Sequence, residues 1–159
     1  MLQRIQTVFL VLIVLLMGAT LAFPLWSYTG PEGSGIHHVL FSFYYEGVAQ
    51  AGADVVNVYF PYSLIATLII ASISVTIIEI TKFKNRLLQM KLGALNSLLM
   101  AGALVLTIYF AMDLNKTKEV IGSYSIAIFF PAAAMICNVI ANRFIRKDEK
   151  LVRSVDRIR

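Results

Sequence analysis

Thr81-Lys82-Phe83-Lys84-Asn85-Arg86-Leu87-Leu88-Gln89-Met90-Lys91 is a short basic break between two long apolar runs. The runs, Pro61–Ile80 and Leu92–Met112, are each close to the ~20 residues a helix needs to cross ~30 Å of hydrocarbon. They read as a transmembrane hairpin. Its turn holds four cations, and cytoplasmic loops of membrane proteins carry the excess of Lys and Arg, so the turn is expected inside.

Working outward from that hairpin, two further apolar runs, Thr7–Trp26 and Gly122–Asn142, raise the expected spans to four and use up most of the 159 residues. With 58% hydrophobic and 14% charged residues, the chain has too much apolar surface for one small water-soluble core. The expected class is an all-α integral membrane protein, a four-helix transmembrane bundle forming a single domain over residues 1–159. Cys137, the one cysteine, falls inside the fourth run, which excludes a disulfide framework and a thiolate metal cluster. The net charge of +5 carries less information than its distribution.

Residues 27–60 hold Glu32, Glu46 and Asp54 and no Lys or Arg, so this loop is expected outside. Arg4, the basic break and the seven cations of the 143–159 tail put twelve of the fourteen basic residues inside, leaving Lys116 and Lys118 outside. Both termini are therefore expected to be cytoplasmic. Trp26 and all seven tyrosines (28, 44, 45, 59, 62, 109 and 124) fall toward the outer side, where amphipathic rings settle at headgroup level. The first run could also be a signal peptide with Thr20-Leu21-Ala22 as an imperfect cleavage site; its full length and the following Phe23-Pro24 argue for an uncleaved helix.

Local chemistry gives finer expectations. In the outer loop, glycines bracket Ile36–Tyr45 and Asp54–Tyr59, both rich in β-branched and aromatic residues, so the loop is expected to be partly β, as a short antiparallel hairpin leaning on a neighbour. Pro61 suits the first turn of the second helix, and Pro131 should kink the fourth near mid-membrane. Small residues four apart, Gly18/Ala22, Gly93/Ser97/Ala101 and Ala133/Cys137/Ala141, mark expected helix contacts. Asn96 and Asn138 lie at matching depth on the third and fourth helices and are candidates to bond to each other. Glu79, at the last turn of the second helix, is expected to snorkel or to pair with Lys82.

The tail continues the fourth helix as a basic amphipathic segment. Ile145, Leu151, Val152, Val155 and Ile158 share one face, while Arg146, Lys147, Lys150, Arg153 and Arg157 occupy the others. An anionic inner leaflet would attract the cations, yet Asp148, Glu149 and Asp156 oppose that attraction. The expected role is therefore a cytoplasmic docking surface of Lys84, Arg86, Lys147, Asp148, Glu149, Arg153, Asp156 and Arg157, its acids pairing with cations of the basic turn or of a partner.

For catalysis the sequence offers little. His37-His38 with Glu32, Glu46 and Asp54 is the one cluster resembling a metal site, but adjacent histidines on a strand face opposite ways. No Ser/His/Asp set or phosphate loop is readable, and mid-depth polar residues are few, mainly Ser72, Ser74 and Thr107. A non-enzymatic accessory or assembly protein without cofactor follows, in contact with the bilayer and with a protein partner or a second copy; nucleic acid is not expected. A small oligomeric transporter or channel is the alternative, and a metal-dependent enzyme of the outer loop comes third.

Several segments resemble a family of small four-span membrane proteins of Bacteroidota, catalogued as a domain of unknown function (number four-two-nine-three). They are Gln3-Arg4-Ile5-Gln6-Thr7, Phe23-Pro24-Leu25-Trp26, Phe83-Lys84-Asn85-Arg86 with Gln89, and Phe130-Pro131. The ending Ala141-Asn142-Arg143, Lys147-Asp148-Glu149, Val152-Arg153-Ser154 and Asp156-Arg157-Ile158-Arg159 completes the set. The resemblance implies four helices and a bacterial inner-membrane location, and it transfers no catalytic residue.

Overall fold

The computed structural model describes residues 2–32, 34–48, 54–83 and 85–156. Four helices, α1 (Leu2–Ala22), α2 (Ser63–Thr81), α3 (Arg86–Thr117) and α4 (Phe129–Asp156), are joined by short strands β1 (Trp26–Thr29), β2 (His37–Leu40), β3 (Tyr45–Val48), β4 (Val56–Val58) and β5 (Ser123–Tyr124). Each helix packs against two others in the cyclic order α1, α2, α3, α4. All four are long and apolar enough to cross a membrane. Their outward faces carry large apolar side chains such as Leu15, Ile70, Leu98, Val105 and Ile136, which is the pattern of helices surrounded by a nonpolar medium.

The helix ends differ from the expected spans for local reasons. α1 closes at Ala22 rather than Trp26, because Pro24 disfavours helical geometry at the residue before it. The chain then enters the sheet, with Leu25 N–H donating to Leu40 O at 2.8 Å. α3 begins at Arg86, capped by the Asn85 side chain, which accepts from Leu88 N–H. Most of the basic break is thus helix, and the connection shrinks to residues 82–85. At 32 residues, α3 is about 48 Å long. It overreaches a ~30 Å hydrocarbon layer.

Both proline expectations shift as well. Pro61 sits in the turn before α2, where Ser63 N–H donates to Tyr59 O and Leu64 N–H to Pro61 O. Pro131 lies in the first turn of α4, not at mid-span. No interior helical bond is lost there, so the expected mid-span kink has no cause.

The expected outer hairpin is a larger sheet, in the order β4-β3-β2-β1-β5, with every neighbour antiparallel. The stretch Ile36–Tyr45 is not one strand. It turns at residues 41–44, where Phe41 N–H donates to Tyr44 O, and continues as β3. β5 comes from the α3–α4 connection and pairs Trp26 with Tyr124 and Ser27 with Ser123. The inner row runs Tyr124, Trp26, Leu40, Tyr45, Val58 across the strands.

Trp26, Leu40 and Tyr45 of that row join Met17 of α1, Ile65 of α2 and Phe110 of α3 in one buried core. Trp26, expected in a headgroup belt, is fully buried. A column of rings, Tyr28, His38, Tyr45, Tyr62 and Phe110, leads from the sheet into the helices with successive centroids 5.2–5.9 Å apart. Such spacing lies in the favourable range for aromatic pairs.

Ser42, buried in the β2–β3 turn, ties the sheet to two helix ends. Its hydroxyl donates to Thr20 O near the end of α1, and its carbonyl accepts from Ala66 N–H in the first turn of α2. Both partners belong to the helix-terminal groups that lack an intrahelical bond or compete for one.

The small-residue stripes are unequal. On α4, Cys137 and Ala141 of the expected stripe are buried, but Ala133 is only half-buried and the buried alanine is its neighbour Ala134; on α3 Gly93 presses against Asn142. Gly18, by contrast, has nothing within 4 Å of where its Cβ would stand. A Cβ on Gly122 would overlap the indole of Trp26, a rigid ring with nowhere to retreat. Gly122→Ala is therefore expected to destabilise by about 1–3 kcal/mol through overpacking. Gly18→Ala should be neutral or stabilise by up to ~1 kcal/mol through helix propensity. Unfolding in detergent micelles distinguishes them, and equal effects would contradict this packing.

Candidate functional site

The bundle has a basic end, formed by the α2–α3 connection and the extension of α4, and an opposite end capped by the sheet. At the basic end, Arg86 in the first turn of α3 reaches Asp148 on α4. Its Nη1 donates to the Asp148 backbone carbonyl at 2.9 Å, and its Nη2 lies 3.5 Å from Oδ2. Both side chains are largely shielded, so the guanidinium fork holds carbonyl and carboxylate together. α4 runs without interruption to Asp156.

Of the other expected docking residues, Lys147 is exposed and Glu149 half-buried. Arg153 and Asp156 lie on the last helical turns, and Lys84 and Arg157 fall outside the described residues. The structure therefore brings Arg86 and Asp148 together and spaces Lys147 and Glu149 along the adjoining helix.

Asn96 and Asn138 do not bond to each other. Asn96 turns toward α2, accepting from Ser72 Oγ at 2.5 Å and donating to Thr76 Oγ1 at 2.8 Å. Asn138 turns toward α3, its Nδ2 donating to Gly93 O and Ser97 Oγ, both at 2.7 Å. The missed signal was Ser72/Thr76, four apart on one face of α2; the Gly93/Ser97 spacing, already read as a helix contact, is where Asn138 bonds.

Glu79 also departs from expectation. It is fully buried and neither carboxylate oxygen has a hydrogen-bond partner among the described residues. The tight connection folds the start of α3 back over the end of α2, so that Gln89 Nε2 donates to the Glu79 carbonyl at 2.9 Å. Lys82 stays exposed on the connection. Proximity in sequence could not show that burial.

At the sheet end, the two histidines face opposite ways. His37 lies 3.4 Å from Glu46 on the outward face. His38 points inward, its Nδ1 2.7 Å from Tyr45 Oη, with its ring between Tyr28 and Tyr45. Among the described residues no three His, Cys, Asp or Glu side chains converge as metal ligands. β4 forms one edge of the sheet, with Val56 and Val58 exposed.

Burial first, then the charges of Lys118 and His37, hold the His38 imidazole below its ordinary value. Burial also pushes the Tyr45 phenol up to about 12, with Tyr62 adding to the shift, so the neutral pair is the folded form. The unfolded chain takes up the proton first, so this contribution is complete above about pH 6.5 and is lost as pH falls from there toward the lower folded value. The sheet cap is expected to loosen as pH falls below about 6.5, and His38→Gln should flatten that dependence. Hydrogen exchange of residues 37–48 across that range checks it.

A comparison with curated proteins finds no match. The model of a protein family, Domain of unknown function (DUF4293), matches residues 2–158, and the chain belongs to that family.

Proposed function

We propose that this chain is a four-span protein of a bacterial inner membrane, with both termini cytoplasmic, that serves as a non-enzymatic accessory or assembly factor acting through protein contacts. The apolar outward faces of the helices and the concentration of cations at one end of the bundle support the placement. The Arg86–Asp148 clamp carries the functional reading. It pins the extension of α4 to the bundle, so Lys147, Lys150 and Leu151 are presented on an ordered helix. A preorganised surface avoids part of the ordering cost of association.

A conducting path would need polar groups open to it. Here Ser72 and Thr76 are bonded to Asn96, and Ser74 is exposed on the outer face of α2 with its hydroxyl bonded to Ile70 O. Those bonds favour interhelical attachment over a small oligomeric transporter or channel. The opposed histidines likewise weaken the reading of a metal-dependent enzyme of the outer loop.

Two measurements test the proposal. In a Cys137→Ser background, a membrane-impermeant maleimide should label Asp54→Cys in intact spheroplasts and Lys147→Cys only after lysis; the reverse pattern would invert the topology. A photo-crosslinking residue at position 147 or 150 should capture one discrete protein adduct in cells, weakened several-fold by Arg86→Glu. Absence of any protein adduct at both positions would remove the accessory reading and favour transport.

A further inference from the structure

The face between α3 and α4 carries a groove that the contact role leaves unused. Toward the basic end it is lined by Ser97, Asn142, Arg143 and Arg146, with Met90 and Val139 as its apolar walls. Val139 and Arg143 also belong to the next stretch, which continues past Ile140, Ile136 and Ala132 on α4 with Leu104 on α3. Beyond Arg146 a shallow third pocket is edged by Glu149 and Lys150. The polar and apolar stretches measure about 470 and 620 Å³, within the ~300–1,000 Å³ typical of small-molecule sites.

Two features select the occupant. Arg143 and Arg146 are one helical turn apart, both exposed, at the point where α4 leaves its apolar stretch; paired guanidinium groups suit a phosphate. The cations around the mouth outnumber the single carboxylate of Glu149. Below them, the groove wall runs eleven helical rises along α4, from Arg143 to Ala132, about 16 Å. That is half of a ~30 Å hydrocarbon layer, the reach of one acyl chain in one leaflet. A free phosphate would leave this apolar stretch unfilled.

We propose that the α3–α4 groove is a binding site for one anionic glycerophospholipid of the cytoplasmic leaflet, its phosphate on Arg143 and Arg146 and one acyl chain along Val139, Ile136 and Leu104. The assignment rests on the membrane placement given above, and it goes beyond general attraction of the tail to a charged surface. The lipid lies along the outer faces of the two packed helices, beside the Asn138–Gly93 contact. Cationic pockets between spanning helices on the cytoplasmic side are the setting in which anionic headgroups are held.

The test is native mass spectrometry of the full chain, released from nanodiscs of phosphatidylglycerol mixed with phosphatidylcholine. One retained phosphatidylglycerol per chain is expected, with at least tenfold preference over phosphatidylcholine. Arg143→Gln with Arg146→Gln should remove the preference, and Ile136→Trp, which fills the apolar stretch while leaving the charges, should reduce retention severalfold. Soluble glycerol 3-phosphate in excess should not displace the lipid. Equal retention of both lipids, an unchanged preference in the double variant, or displacement by glycerol 3-phosphate would each overturn the assignment. Alkaline carbonate extraction of native membranes separates the two failures: chain released into the supernatant means that the membrane placement has failed, whereas retained chain without lipid preference means that only the groove assignment has.

Discussion

Polar groups in this chain have to find their partners inside the molecule, because the helices turn apolar side chains outward on every side. An unpaired polar group in a nonpolar medium costs several kcal/mol or more. Ser42 meets that requirement for two helix ends with one residue. Asn96 does so for a Ser/Thr pair on α2, and Asn138 for the backbone and a serine of α3. Each bond is modest, about 0.6 kcal/mol on average between membrane helices. Their value is geometric: α3 is bonded to α2 through one asparagine and to α4 through the other, so its rotation about its own axis is fixed from both flanks.

The two ends of the bundle solve different problems. At the sheet end, strands from two separate connections close over the helices, and Trp26 is buried beneath the cover where they meet, with Gly122 close against it. At the basic end the Arg86–Asp148 pair holds an extended helix instead. A cap suits a surface that must be shape-stable. A clamped helix leaves charged side chains available on its free flanks. The polar interior lies between these two arrangements, and in it both Glu79 carboxylate oxygens, Gln89 Oε1 and Asn138 Oδ1 have no hydrogen-bond partner among the described residues.

Hydropathy and charge made the four helices legible, because a run of about twenty apolar residues and a one-sided distribution of cations are coarse signals that survive errors of several residues. The continuation of α4 into the tail was legible for the same reason. Finer features were not. The turn at 41–44 is written Phe-Ser-Phe-Tyr, three aromatic strand formers around a single serine and no Gly, Pro, Asn or Asp, so two strands read as one. α1 ran past its true end because Leu25 and Trp26 are apolar whether they enter a membrane or a sheet core. Of the candidate site, Arg86 and Asp148 were named among the charges of the turn and tail, and their meeting depends on α3 and α4 running antiparallel in register. Asn96 and Asn138 were picked for their depth, but which neighbour each faces is set by helix rotation. Glu79 was misjudged because distance from a helix end says nothing about what folds back over it.

The pairing of β1 with β5 also carries a history. Ser27 and Ser123 stand opposite each other, yet ribosomal synthesis separates them by two complete helices. At ~5–20 residues per second, several seconds pass between the emergence of one and of the other. During that interval the first four strands can pair among themselves, but the place of β5 beside Trp26 stays open. On the topology proposed here, the cap is completed only when the third helix has delivered the 118–125 segment to the far side. Closure of the sheet therefore records that all the preceding segments have crossed in the right direction, and a chain with one helix misinserted would carry an exposed tryptophan edge by which it differs from the finished molecule.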